Sequence, residues 1–127
     1  MFSNRNPRGR INCPRNRDSV PRLFRAEGTT DNLPAGQQLL LAVEIGGLIW
    51  PKGKVQVNGR SWASQVYEGG SPPNGKFALS LYLVSDRGYD EVALWLEHGK
   101  RTGDYPGLGH IEDGVKLHSI TLRLESK

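Results

Sequence analysis

Hydrophobic and polar positions alternate at a period of two through much of this chain, which is the mark of strands lying half-buried in a sheet. Phe77, Leu79, Leu81 and Leu83 share one face of a segment that opens at Lys76. His118, Ile120, Leu122 and Leu124 share one face of a last segment running from about Lys116 to Glu125, opposite Thr121 and Arg123. Between Gln37 and Ile45 the pattern is denser. Leu39, Leu41, Val43 and Ile45 lie on one side and Leu40 and Ala42 on the other, which predicts a strand covered on both faces and broken at Gly46-Gly47. Val55-Gln56-Val57 and Ser61-Trp62-Ala63 flank Asn58-Gly59, the preferred pair for a type I′ hairpin turn, and the alternation carries the second strand to about Tyr67.

One segment changes period. Tyr89, Val92, Trp95 and Leu96 recur at helical spacing behind Asp90 and Glu91, with Gly99 as C-cap and Lys100 and Arg101 just beyond. Strands, one helix and a final strand predict a mainly β fold, either a small antiparallel sheet or a β-sandwich with one short α-helix packed on it. Asp31 to Gly36 reads as a turn-rich junction, so the ordered domain is expected at 36–127, behind a flexible arm at 1–35.

Charge sharpens that division. Residues 1–30 hold Arg5, Arg8, Arg10, Arg15, Arg17, Arg22 and Arg25 against Asp18 and Glu27, which is +5 of a formal total of +4, leaving −1 for the rest. All six lysines lie beyond residue 50. Arginine's planar fork pairs with phosphate in bidentate fashion, so these seven arginines are the candidate contacts to nucleic acid. Pro7, Pro14 and Pro21 interrupt any helix, and Ile11, Val20, Leu23 and Phe24 are the only apolar side chains there able to pack.

At 127 residues the length suits one domain, and its 16 glycines and 8 prolines imply short elements with many turns. No apolar run approaches the length needed to span a bilayer, and the arginine-rich start is unlike a secretory signal. Cys13 stands alone, so no internal disulfide forms, and a reducing, cytoplasmic setting is expected.

Candidate chemistry is sparse. Gly70 to Lys76 has the spacing of a phosphate-cradling loop, but Phe77 replaces the needed hydroxyl and Pro72-Pro73 remove backbone donors, so a turn is the better reading. His98, His110 and His118 form no pair at ligand spacing, and no serine sits in a nucleophile elbow; neither metal, cofactor nor catalytic residue is assigned. The glycine-rich stretch from Gly99 to His110 is long for a connection in so small a domain. Within it Lys100, Arg101, Thr102, Tyr105 and His110 are candidate ligand contacts. So is Trp50, placed at a strand end between Ile49 and Pro51 with its ring partly exposed.

Two functions follow as expectations. The first is a non-enzymatic binding or interaction module that presents loops 68–75 and 99–110 to a protein or small ligand. The alternative is a nucleic-acid-associated protein that grips phosphates through its arginines. Exposed sheet edges add homo-oligomerisation as an expectation; no membrane partner is expected.

Overall fold

A computed structural model describes residues 6–125. Among these residues nine strands build two sheets packed face to face: β1 (Arg8–Cys13), β2 (Ser19–Val20), β3 (Leu23–Asp31), β4 (Gln37–Ile45), β5 (Leu48–Lys54), β6 (Gln56–Asn58), β7 (Ser61–Tyr67), β8 (Lys76–Ser85) and β9 (Val115–Leu124). One sheet has the order β1-β3-β7-β6 and is antiparallel. The other has the order β2-β9-β8-β4-β5, antiparallel except for the short parallel pair β2-β9. The one α-helix of the described residues, α1 (Asp86–Thr102), packs on the outer face of the five-stranded sheet. The predicted mainly β fold with one helix is the observed one, in its sandwich form.

The dense pattern of β4 has a direct structural meaning. Leu39, Leu41 and Val43 enter the core between the sheets with Phe24, Trp62, Val66, Phe77, Leu79 and Leu122. Leu40 and Ala42 enter a second core under the helix with Tyr82, Val84 and Val92. Strand β8 divides its residues in the same way, so the two central strands are buried on both sides. Each fully buried leucine removes enough apolar surface from water to contribute about 2 kcal/mol.

The stretch expected to be a flexible arm instead supplies β1, β2 and β3. Ile11, Val20, Phe24 and Ala26 are buried in the main core, and Thr30 is buried beside Gly28 on the same face of β3. Small residues at these positions hide the period-two signal. Gly28 is small for a reason: the Arg10 carbonyl and the Trp62 ring occupy the place of a Cβ. Pro14 and Pro21 fall between strands and Pro7 just before β1, none of them within a strand. Residues 16–20 are tied to β9, with Asn16 Oδ1 accepting from Thr121 N–H at 2.8 Å and Asp18 O accepting from Arg123 N–H at 3.0 Å. Residues 8–31 therefore belong to the globular unit, which does not start at 36.

Three local details also differ from the sequence reading. The hairpin of β6 and β7 pairs Asn58 with Ser61, so its central residues are Gly59 and Arg60, and only Gly59 has positive φ. That φ pattern belongs to a type II′ turn. The type I′ pattern, with positive φ at both central residues, occurs at Gly46-Gly47 between β4 and β5. Helix α1 begins at a Ser85 N-cap that accepts from Gly88 N–H at 3.0 Å and ends at Gly103, whose N–H donates to Gly99 O at 2.7 Å. Lys100 and Arg101 thus lie in the last helical turn, where the dipole favours cations.

Between β5 and β6 the chain leaves one sheet for the other at Val55, a buried corner whose N–H still reaches Leu39 O at 3.3 Å. Of the sheet edges, β6 is three residues long, and β5 is partly closed by Leu108.

Candidate functional site

The closure of β5 organises an aromatic cleft. After α1, residues 103–109 run as a strap beside β5, where Ile49 and Leu108 exchange two backbone hydrogen bonds of 2.8 Å. Trp50 donates its indole N–H to Tyr105 O at 2.8 Å, and Trp95 donates its own to Pro106 O at 3.0 Å. The Trp95 and Tyr105 rings meet edge to face, with centroids 5.5 Å apart. Tyr105 in turn lies against the Cα of Gly99, and Gly107 fits between Leu48 and Trp50; neither glycine has room for a Cβ. Trp50 is therefore in the middle of an edge strand, with Pro51 next to it at a register shift where its missing N–H costs no ladder bond.

The opposite wall is the segment after β7. Glu68 has a side chain only 7% exposed and uses both carboxylate oxygens, one 3.0 Å from Lys52 Nζ and the other accepting from Gly70 N–H at 2.9 Å. Arg22 clamps the same turn by donating to Glu68 O at 2.9 Å and to Gly70 O at 2.7 Å, while Glu68 N–H donates to Arg22 O at 2.8 Å. Both ions of the Lys52–Glu68 pair are neutralised on the spot, and the Arg22 guanidinium holds the turn through its carbonyls.

Between the walls lies a cleft of about 680 Å³. Trp50, Tyr67, Trp95 and Tyr105 supply aromatic surface, Ile45 and Leu96 aliphatic surface, and Ser71 a hydroxyl. Tyr67 is 60% exposed and Tyr105 is 42% exposed, so both present much of their area to an incoming ligand. Segment 68–72 and Tyr105 of the strap, far apart in sequence, thus meet across one recess.

Of the candidate ligand contacts, the fold brings Trp50 and Tyr105 together here. Lys100 and Arg101 are exposed at the end of α1, the latter 3.5 Å from His98. Thr102 is occupied as a cap, donating to His98 O at 2.8 Å and accepting from Asp104 N–H at 3.2 Å. His110 is 81% exposed and lies 3.8 Å from Glu112. None of these four lines the cleft. Lys52, Tyr67 and Glu68 do, and no spacing rule marks them, because β5 and β7 belong to different sheets. The one available signal is Tyr67 at the outward phase of its strand.

The arginines are dispersed over the folded unit. Arg22 holds the cleft wall, Arg25 pairs with Glu27 at 3.3 Å, and Arg15 and Arg17 are exposed in the loop before β2. Arg8 and Arg10 project from the edge strand β1, and Arg5 lies outside the described residues.

A separate polar cluster sits on the outer face of the five-stranded sheet. Glu44 accepts from the Tyr82 hydroxyl at 2.9 Å and from Lys116 Nζ at 3.0 Å. Burial would raise its carboxyl, but hydrogen bonds from Ser80, Lys116 and Tyr82, with the Lys116 charge, bring it below the ordinary value. Burial and the same carboxylate push the Tyr82 phenol up. An acid held ionised beside a phenol held protonated is a bracing network rather than a proton-transfer pair at neutral pH. Among the described residues no three His, Cys, Asp or Glu side chains gather as a metal site, and no helix is long and apolar enough to cross a membrane. No family model and no curated protein matches this chain, so the chemistry of the cleft is carried by its own residues alone.

Proposed function

We propose that this protein is a non-enzymatic binding module that takes an uncharged ligand with a broad apolar face in the cleft between β5, residues 67–72 and the strap. The convergence of the two loop regions on one aromatic recess carries this reading. Sites for small ligands are concave, largely apolar, and furnished with a few polar groups. Here the indole donors are already engaged by backbone, which fixes the rings, and the one ion pair within the walls is satisfied internally. A charged ligand would find no unpaired charged side chain among the lining residues, whereas the C–H face of a sugar ring or a flat neutral group would find stacking surface and hydroxyls. Cys13, exposed and unpaired, supports a reducing, cytoplasmic setting.

Two of the three tryptophans border the cleft and the third, Trp62, is buried in the core, so tryptophan emission reports on the site. Titration with a panel of neutral oligosaccharides and uncharged aromatic compounds is expected to give a saturable change with at least one class, lost in Trp50→Ala. A flat response across the panel, with no amide shift at residues 67–72 or 103–109, rejects the reading.

A further inference from the structure

We propose that a second recess, where β1 and β3 meet β9, binds phosphoryl groups through Arg8, Arg10 and Arg60. This recess measures about 500 Å³ and shares no lining residue with the aromatic cleft. Its charge is the first argument. Three arginines against Asp31 leave two positive charges, half of the chain's formal +4, around one concavity. Within the protein that surplus is unrelieved: Arg60 lies 3.8 Å from Asp31, and among the described residues Arg8 and Arg10 make no side-chain ion pair or hydrogen bond. Arg22 and Arg25, by contrast, both have partners.

The second argument is the rigidity of the floor. Gly9, between the two free arginines, is pressed onto the side chains of Leu81 and Leu117, which leave no space for a Cβ. On either side, Thr30 Oγ1 donates to Arg8 O at 2.9 Å and Ile11 N–H donates to His118 Nδ1 at 2.9 Å. The backbone that carries Arg8 and Arg10 is thus pinned, and both side chains leave β1 on its outward face. Guanidinium groups pair with phosphate oxygens in planar, two-bond contacts, and a surplus of two charges suits a phosphate dianion or diphosphate better than one carboxylate. Thr29, exposed beside them, adds a hydroxyl.

The full chain, labelled with nitrogen-15, would be titrated with sodium pyrophosphate and separately with a short single-stranded oligodeoxynucleotide, each at low and at high salt. Saturable amide shifts are expected at residues 8–11, 29–31 and 118, with affinity falling as salt rises. Arg10→Glu combined with Arg60→Glu should weaken binding at least about tenfold. Lys100→Glu, which reverses a charge at the far end of α1, should leave it within about twofold. If the double reversal perturbs folding, Arg8→Ala with Arg10→Ala tests the same contacts by truncating two exposed side chains. Oligonucleotide binding that is tighter and more salt-dependent than pyrophosphate binding identifies a nucleic-acid strand as the phosphate source, and equal binding identifies a small phosphorylated compound. The absence of saturable shifts with either probe at low salt overturns the proposal, as does a response that survives loss of the arginines.

Discussion

The indole N–H of Trp50 donates to the backbone carbonyl of Tyr105, 55 positions further along the chain, and the Tyr105 ring closes over Gly99. These contacts couple the end of α1 to the edge of a sheet through one side chain. Gly99→Ala places a methyl group where the ring lies. It should destabilise the protein by about 1–3 kcal/mol, the usual cost of overpacking. Amide exchange should accelerate first at residues 103–109 and leave β8 protected.

Glu68 anchors the other wall. Glu68→Ala leaves Lys52 mostly buried without its carboxylate and should cost about 3–5 kcal/mol in urea denaturation. Replacing both partners, as Lys52→Met with Glu68→Leu, removes the stranded charge. The double variant is expected to be more stable than Glu68→Ala alone, a non-additivity that a double-mutant cycle measures directly.

A truncation beginning at residue 36 tests where the folded unit starts. Such a chain lacks β1 and β3, exposes the side of β7 that β3 covers, and opens the core at Ile11, Phe24 and Ala26. It should show no cooperative thermal transition, whereas the full chain should melt cooperatively.

Acid sensitivity should originate partly at His118. Its imidazole is held below its ordinary value of 6.5, first by burial and then by the Arg10 charge, and only its neutral form accepts from Ile11 N–H. A group with a depressed folded value contributes its full stability above the unfolded value and loses it as pH falls through the folded one. Stability should therefore rise with pH as the ordinary value of 6.5 is approached from the acid side and level off above it. His118→Leu should flatten that slope. Glu44, also lowered in the fold, adds a further loss below its ordinary 4.5.

What the sequence made legible follows from how strongly each face is apolar. Strands β4, β8 and β9 announce themselves because most of their buried positions are leucine, isoleucine, valine or an aromatic residue. Strand β3 buries Phe24, Ala26, Gly28 and Thr30 on one face, a combination that carries almost no hydropathic contrast, while its exposed arginines attract attention. The same imbalance turned a sheet edge into an expected arm. The cleft was half legible: Trp50 and Tyr105 stand out by residue type, and loops 68–75 and 99–110 by length and composition. Their meeting depends on Val55 carrying the chain from one sheet to the other, which no local pattern announces. Lys100, Arg101, Thr102 and His110 drew interest as polar residues in a glycine-rich stretch, but three of them complete or extend the helix and the fourth faces solvent.

That corner at Val55 has a kinetic consequence. Because β5 pairs in one sheet and β6 in the other, and because β3 and β4 are divided in the same way, neither sheet is a contiguous piece of chain. The five-stranded sheet cannot be completed until β9 arrives, and the β1–β3 pair waits for β7 to extend it. Such non-local order favours slow assembly, on the scale of milliseconds to seconds, in which both sheets appear together.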